Sequence, residues 1–150
     1  MRYAKLMLVL LGLATALAAA DPFVGEWKLN PAKSKYKTGT PPKEQTVVIT
    51  EKDSDLDVNI TGTTADGSSI ASHYTMPAKG GEGKIIKSPY DTISSKRPSD
   101  KERVLTYSKG GKVVYNARPR VSADGKTMTV TVKGTDPAGN PVEGTLVFEK

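Results

Sequence analysis

Along most of its length the chain alternates apolar and polar residues with a period of two. Leu56, Val58 and Ile60 are separated by Asp57 and Asn59, and Met128, Val130 and Val132 by Thr129 and Thr131. An extended strand so patterned has one dry face and one wet one. Weaker versions of the pattern cover 46–51, 69–76, 84–88, 92–97, 103–108, 112–118 and 142–149, and 25–29 adds a first strand, so about ten strands are predicted. Past the first twenty residues, no window of a dozen residues carries a 3.6-residue period. Between the runs stand Asp66-Gly67, Gly80-Gly81, Gly110-Gly111, Asp124-Gly125 and Ala138-Gly139-Asn140, which tolerate positive φ at chain reversals. Nearly every connection therefore reads as a hairpin. The expected fold is all-β, an up-and-down antiparallel barrel of about 8–10 strands, because closure removes the edges that an open sheet exposes.

Two segments break the rhythm. Residues 30–43 hold Pro31, Pro41 and Pro42 with Lys33, Lys35, Lys37 and Lys43, and predict a loop across one end of the barrel, with one helical turn begun at Pro31 behind an Asn30 cap. Arg118-Pro119-Arg120 puts a proline where a central strand needs its N–H, which predicts a strand end, bulge or edge. The stretches 56–70 and 128–142 share a layout, with Gly62-Thr63 matching Gly134-Thr135 and Gly67 matching Gly139. Convergent hairpin chemistry is the expected reason, and an internal duplication is the alternative.

Upstream of the strands, Arg2 and Lys5 precede an apolar run from Leu6 to Ala19 that ends in Ala18-Ala19-Ala20. Basic residues, a short apolar stretch and small residues before a cut are the marks of a secretory signal peptide, with cleavage expected between Ala20 and Asp21. A membrane anchor needs about 20 apolar residues. The expected organisation is a leader at 1–20 and one domain at 21–150, exported to the periplasm or beyond. Losing Arg2 and Lys5 changes 22 basic residues to 20 against 16 acidic ones, a mature charge of +4. That balance favours loose attraction to anionic surfaces such as lipid headgroups or cell-wall polymers. It does not imply nucleic acid, since no arginine-rich helix or stacking platform accompanies it. Cysteine is absent, which removes disulfides, thiolate chemistry and sulfur zinc sites. Ladders and apolar burial alone must hold the domain, which suits bacterial export.

Phe23-Val24-Gly25-Glu26-Trp27-Lys28-Leu29 resembles the first strand of the calycin group, the lipocalins and fatty-acid-binding proteins, whose chains open on glycine, one variable residue and tryptophan. The match covers these seven residues. The resemblance implies a barrel whose closed end is plugged by Trp27, next to Gly25, with a late-strand basic residue, Arg118 or Arg120, packed over the indole. It also implies a small apolar ligand. The threonine-aspartate-tyrosine signature of lipocalins is not evident, and 30–43 cannot supply the two helices of fatty-acid-binding proteins.

Tyr74, Leu105, Tyr107, Val113, Tyr115, Met128, Val130, Leu146 and Phe148 fall on dry faces of their strands. In a barrel they point inward, where they either fill the core or line an apolar cavity with a few hydroxyls. Lys33, Lys35, Lys37 and Lys43 would rim its mouth, either as a solvated loop or as an attraction for anionic amphiphiles. His73, the sole histidine, is expected on the wet face. Glu51, Asp53, Asp55 and Asp57 share a face if the strand is continuous, but Val58 and Thr64 stand where a calcium loop needs glycine and glutamate. Ser34-x-x-Lys37 and Lys37-Thr38-Gly39 overlap and cannot be separate catalytic elements. No enzyme, cofactor or metal is expected. Two functions stay open: sequestration of an apolar or amphipathic ligand inside the barrel, or a filled barrel working at the envelope through its lysine-rich surface.

Overall fold

A computed structural model describes residues 20–150; the expected leader falls almost entirely outside them. Twelve strands run in chain order: β1 Gly25–Leu29, β2 Lys35–Thr38, β3 Glu44–Lys52, β4 Asp55–Thr63, β5 Ser69–Pro77, β6 Gly81–Glu82, β7 Lys84–Lys87, β8 Thr92–Ser99, β9 Glu102–Lys109, β10 Lys112–Val121, β11 Thr127–Thr135 and β12 Pro141–Glu149. Every strand expected from alternation is present, within about three residues of its expected bounds. The additional ones, β2 and β6, are four and two residues long, too short for alternation to register.

All pairings are antiparallel, and the ladder runs β6-β8-β9-β10-β11-β12-β1-β3-β4-β5-β7. The two ends of that ladder belong to one stretch of chain. Gly81 and Glu82 pair with Ser95 and Ser94 of β8, and two residues later Lys84, Ile85 and Lys87 pair with β5. Residues 81–87 thus bridge the seam and bring the sheet nearly to closure as a barrel. Gly83 marks the crossing: its N–H donates to the Ile93 carbonyl at 2.8 Å, and a Cβ there would lie 2.5 Å from the Thr75 carbonyl oxygen and 2.7 Å from Ile93 Cγ2. Only glycine lets the backbone pass between the two walls.

At the loop, Pro31–Lys33 forms the expected turn, of 3₁₀ type, and the Asn30 side chain accepts from the Lys33 N–H. The rest of 30–43 is not wholly loop: β2 resumes the line of β1 along the edge of β12, pairing Tyr36 with Gly144 and Lys35 with Thr145. Ser34, buried between the two, accepts from the Val147 N–H and donates to the Asn30 carbonyl. Pro119 lies two residues before the end of β10 and opposite Val130 of β11, so it is near a strand end but at neither a bulge nor an edge. The two look-alike stretches end in turns of one design, with Thr64 N–H donating to Ser68 and Gly67 to Thr64, and Asp136 to Asn140 and Gly139 to Asp136.

Inside, a single cluster runs from Phe23, Trp27 and Leu56 through Tyr74, Ile93 and Leu105 to Val132 and Phe148. Replacing Gly83 by alanine is expected to destabilise the domain by about 1–3 kcal/mol, since one wall must shift. Urea unfolding of G83A against the unsubstituted protein measures it; an unchanged midpoint refutes the crossing as the tight point of the barrel.

Candidate functional site

One end of the barrel is sealed. Trp27 is fully buried, and its Nε1–H donates to the Phe23 carbonyl at 2.8 Å, so residues 20–24 fold under the barrel as its floor. The cation over the indole is Lys150, with Nζ 4.6 Å from the ring centroid. This corrects the expectation for Arg118 and Arg120. Both are exposed, because they alternate with buried Ala117, Pro119 and Val121 and so point outward; Arg120 reaches Glu102 instead. Gly25 serves Lys150 directly. Its φ of 143° suits glycine, and a Cβ would lie 2.7 Å from Lys150 Cε. The Gly-x-Trp pattern therefore has a local reason: removal of a side chain admits the lysine stem to the ring.

Beside Phe23 sits a buried charge. Arg103 exposes nothing to solvent and lies 5.1 Å from the Phe23 ring. Its Nη2 donates to the Ala78 carbonyl at 2.7 Å and to Asp21 Oδ2 at 3.2 Å, and Arg97 Nη1 reaches the same carboxylate oxygen at 3.2 Å. Burial pulls the Arg103 pKa below its ordinary value, with Asp21 opposing that shift. Arg103 shares the inward face of Leu105 and Tyr107, a placement the sequence reading did not make. Asp21, more than eighty residues away in sequence, makes this buried charge tolerable.

The opposite end is phenolic. Tyr74 and Tyr107 are buried with their hydroxyls 3.0 Å apart. Tyr90 and Tyr115 stack at 5.9 Å between centroids, and Tyr107 lies 5.1 Å from Tyr90 and 5.5 Å from Tyr115. Tyr36 packs on this cluster from β2, so every tyrosine of the described residues belongs to it. Tyr90 and Tyr36 lie outside the patterned strand faces and were missed for that reason. Tyr74, Leu105, Tyr107, Met128, Leu146 and Phe148 expose only 2–7 %, and Val130 and Tyr115 are half-buried. Val113 does not line the interior: it is 60 % exposed. The register between β9 and β10 slips between Val113 and Tyr115, and that extra residue turns Val113 outward.

Lys33, Lys35, Lys37 and Lys43 are all exposed but unequally free. Lys33 Nζ binds Glu149 at 2.7 Å and Lys37 reaches Glu143 at 4.0 Å, whereas Lys35 and Lys43 have no carboxylate partner among the described residues. The register carries a polar row over the outer wall: Arg118 opposite Thr131, Thr131 opposite Thr145, Thr145 opposite Lys35. An open groove of about 400 Å³ lies here, lined by Lys35, Tyr36, Lys37, Thr131, Glu143, Gly144 and Thr145. Its cations and hydroxyls suit oxyanions, and β2 forms one bank.

Other candidates resolve as surface features. His73 Nε2 lies 2.8 Å from Asp57 Oδ1 on the outer wall. Glu51, Asp53, Asp55 and Asp57 do not form one acidic strand face, because the chain reverses at Asp53-Ser54, with Asp53 at φ 56°. Among the described residues no three acidic or histidine side chains converge as a metal site. Compared with protein-family models, curated proteins and solved structures, the chain matches none of them. What the structure shares with the calycins is the all-β, nearly closed antiparallel barrel.

Burial raises the pKa of Tyr36, Tyr74 and Tyr90 to about 12, neighbouring Asp136 adding to it at Tyr36 and Tyr90, and pushes Tyr107 and Tyr115 well above 10. Folded-state values above unfolded ones mean that the native state holds its phenolic protons longer. The stabilisation is whole below pH about 10 and declines as pH rises towards 12. Alkaline unfolding followed at 295 nm should show the tyrosines ionising with loss of structure, and Y107F should move that loss to higher pH. For the sealed end, K150A should cost about 0.5–1 kcal/mol in chemical denaturation, with a shift in Trp27 emission.

Proposed function

We propose that the domain is a filled barrel of the cell envelope, which works through its outer surface without catalysis. The observation that carries this reading is the burial of the side chains that a ligand lumen would need, together with Lys35, Lys43 and Arg118 outside, which have no carboxylate partner among the described residues. The partner is a phosphate- or carboxylate-bearing envelope surface, met by the wall that holds Arg118, Lys35, Lys37, Thr131 and Thr145. Lys43, at the end of the loop, adds to the same attraction. A mature charge of +4 supports it, and such contacts weaken with salt because exposed charges are screened over about 8 Å at physiological ionic strength. Export through the leader at 1–20, to the periplasm or outside, supplies the compartment.

A second reading has its own support. The barrel's ends differ as those of a calycin carrier do, one sealed by Trp27 and the other bordered by half-buried Tyr36, Tyr90 and Tyr115. An apolar or anionic amphipathic molecule would dock shallowly against those rings, its head on Lys35 or Lys37. Membership of the lipocalin-like group belongs to this second reading.

Co-sedimentation separates the two. The purified domain should bind vesicles containing phosphatidylglycerol, or anionic wall polymer, at low salt and release at high salt, and K35E/K43E/R118E should reduce binding at least several-fold. Saturable uptake of a fluorescent fatty-acid analogue, with quenching of tyrosine and Trp27 emission and no affinity for anionic surfaces, would favour the carrier instead.

A further inference from the structure

Asp21 is held at every polar atom it has. Its backbone N–H donates to Glu51 Oε1 at 3.0 Å, its carbonyl accepts from the Val24 N–H at 2.9 Å, Oδ1 accepts from the Phe23 N–H at 3.0 Å, and Oδ2 receives Arg97 and Arg103. Its side chain is 5 % exposed, whereas the preceding Ala20 is exposed. A residue fixed so fully beside a free-standing neighbour marks a boundary in the chain, and it falls where the small-residue pattern of the leader places the cut. The partners come from three separate strands, β3 for Glu51, β8 for Arg97 and β9 for Arg103. The receptor therefore exists only once the barrel has formed.

We propose that Asp21 is the first residue of the working protein and that the barrel floor is a receptor for a charged N-terminus, with Glu51 taking the ammonium and the Arg97–Arg103 pair the side-chain carboxylate. A leader-removing peptidase hydrolyses the Ala20–Asp21 amide: the C–N bond breaks, water adds its oxygen to the Ala20 carbonyl carbon, and the Asp21 nitrogen gains protons to become an ammonium. The amide N–H facing Glu51 becomes a cation facing a carboxylate, and charge-assisted hydrogen bonds are the stronger kind. Cleavage thereby tightens the residue that neutralises Arg103 and anchors Phe23 beneath Trp27. Processing and sealing of the barrel floor become one event.

The test starts from the full chain expressed in an exporting host. Intact mass and N-terminal labelling should identify Asp21 as the first residue; another terminus overturns the proposal. The exported protein and E51Q, an exposed substitution that leaves the core alone, are then acetylated selectively at the terminal amine near pH 6.5, with peptide mapping to confirm unmodified lysines. Acetylation should lower the melting temperature of the unsubstituted protein by about 2 °C or more and that of E51Q by less than half as much. Equal shifts in the two, or none in either, overturn the pairing. E51D, which keeps the charge, should retain at least part of the sensitivity.

Discussion

Edge closure governs this molecule. A sheet of short antiparallel strands with no disulfide must satisfy its outer backbone groups by hydrogen bonding or expose them to pairing with other chains. Here one seven-residue segment does so by changing partner in mid-course, β8 before Gly83 and β5 after it. The requirement reaches into the composition: a side chain at the crossing would collide with both walls, so the barrel's continuity rests on a glycine. The same economy appears where β2 takes over from β1 along β12, with Ser34 supplying the bonds that the interruption removes.

Closure encloses an interior, and the two halves of that interior have different chemistry. The sealed half holds a tryptophan, a phenylalanine and two arginines that share one aspartate. A buried guanidinium is costly unless it is paired and hydrogen-bonded, and a lone partner removed from such a pair leaves several kcal/mol unbalanced, about 3–5 in typical cases. Asp21 therefore does more than extend the chain: it neutralises the floor and carries Phe23 into place. The other half holds the phenols, of which Tyr74 and Tyr107 bond each other and Tyr90 donates to the Thr135 carbonyl. On the outer wall, Arg118, Thr131, Thr145 and Lys35 line up across four strands.

The two halves of the alternation argument fared differently at β9 and β10. Along β9 the pattern placed Leu105 and Tyr107 inward, and they are buried, with Arg103 on the same face. Along β10 the bulge between Val113 and Tyr115 reverses the phase, so Val113 is outside while Tyr115 and Ala117 are in. A bulge has no signature in apolar periodicity, since it depends on how the partner strand is met. Tyr36 and Tyr90 were hidden for a related reason, lying on a four-residue strand and in a loop. Of the candidate surface, the lysines of 30–43 were legible as a group, but which of them keep free charge depends on Glu149 and Glu143 reaching across from β12.

By itself the sequence determined the all-β class, ten of the twelve strands, the turn positions, the Asn30 cap and the inward placement of Trp27, because these follow from side-chain period, φ tolerance and local hydrogen bonding over a few residues. Tertiary structure alone decided how the seam closes, which cation covers Trp27, that Asp21 neutralises Arg103, and that the tyrosines converge. Those outcomes join residues tens to more than a hundred positions apart, and only register, bulges and the curvature of the closed sheet determine which of them meet.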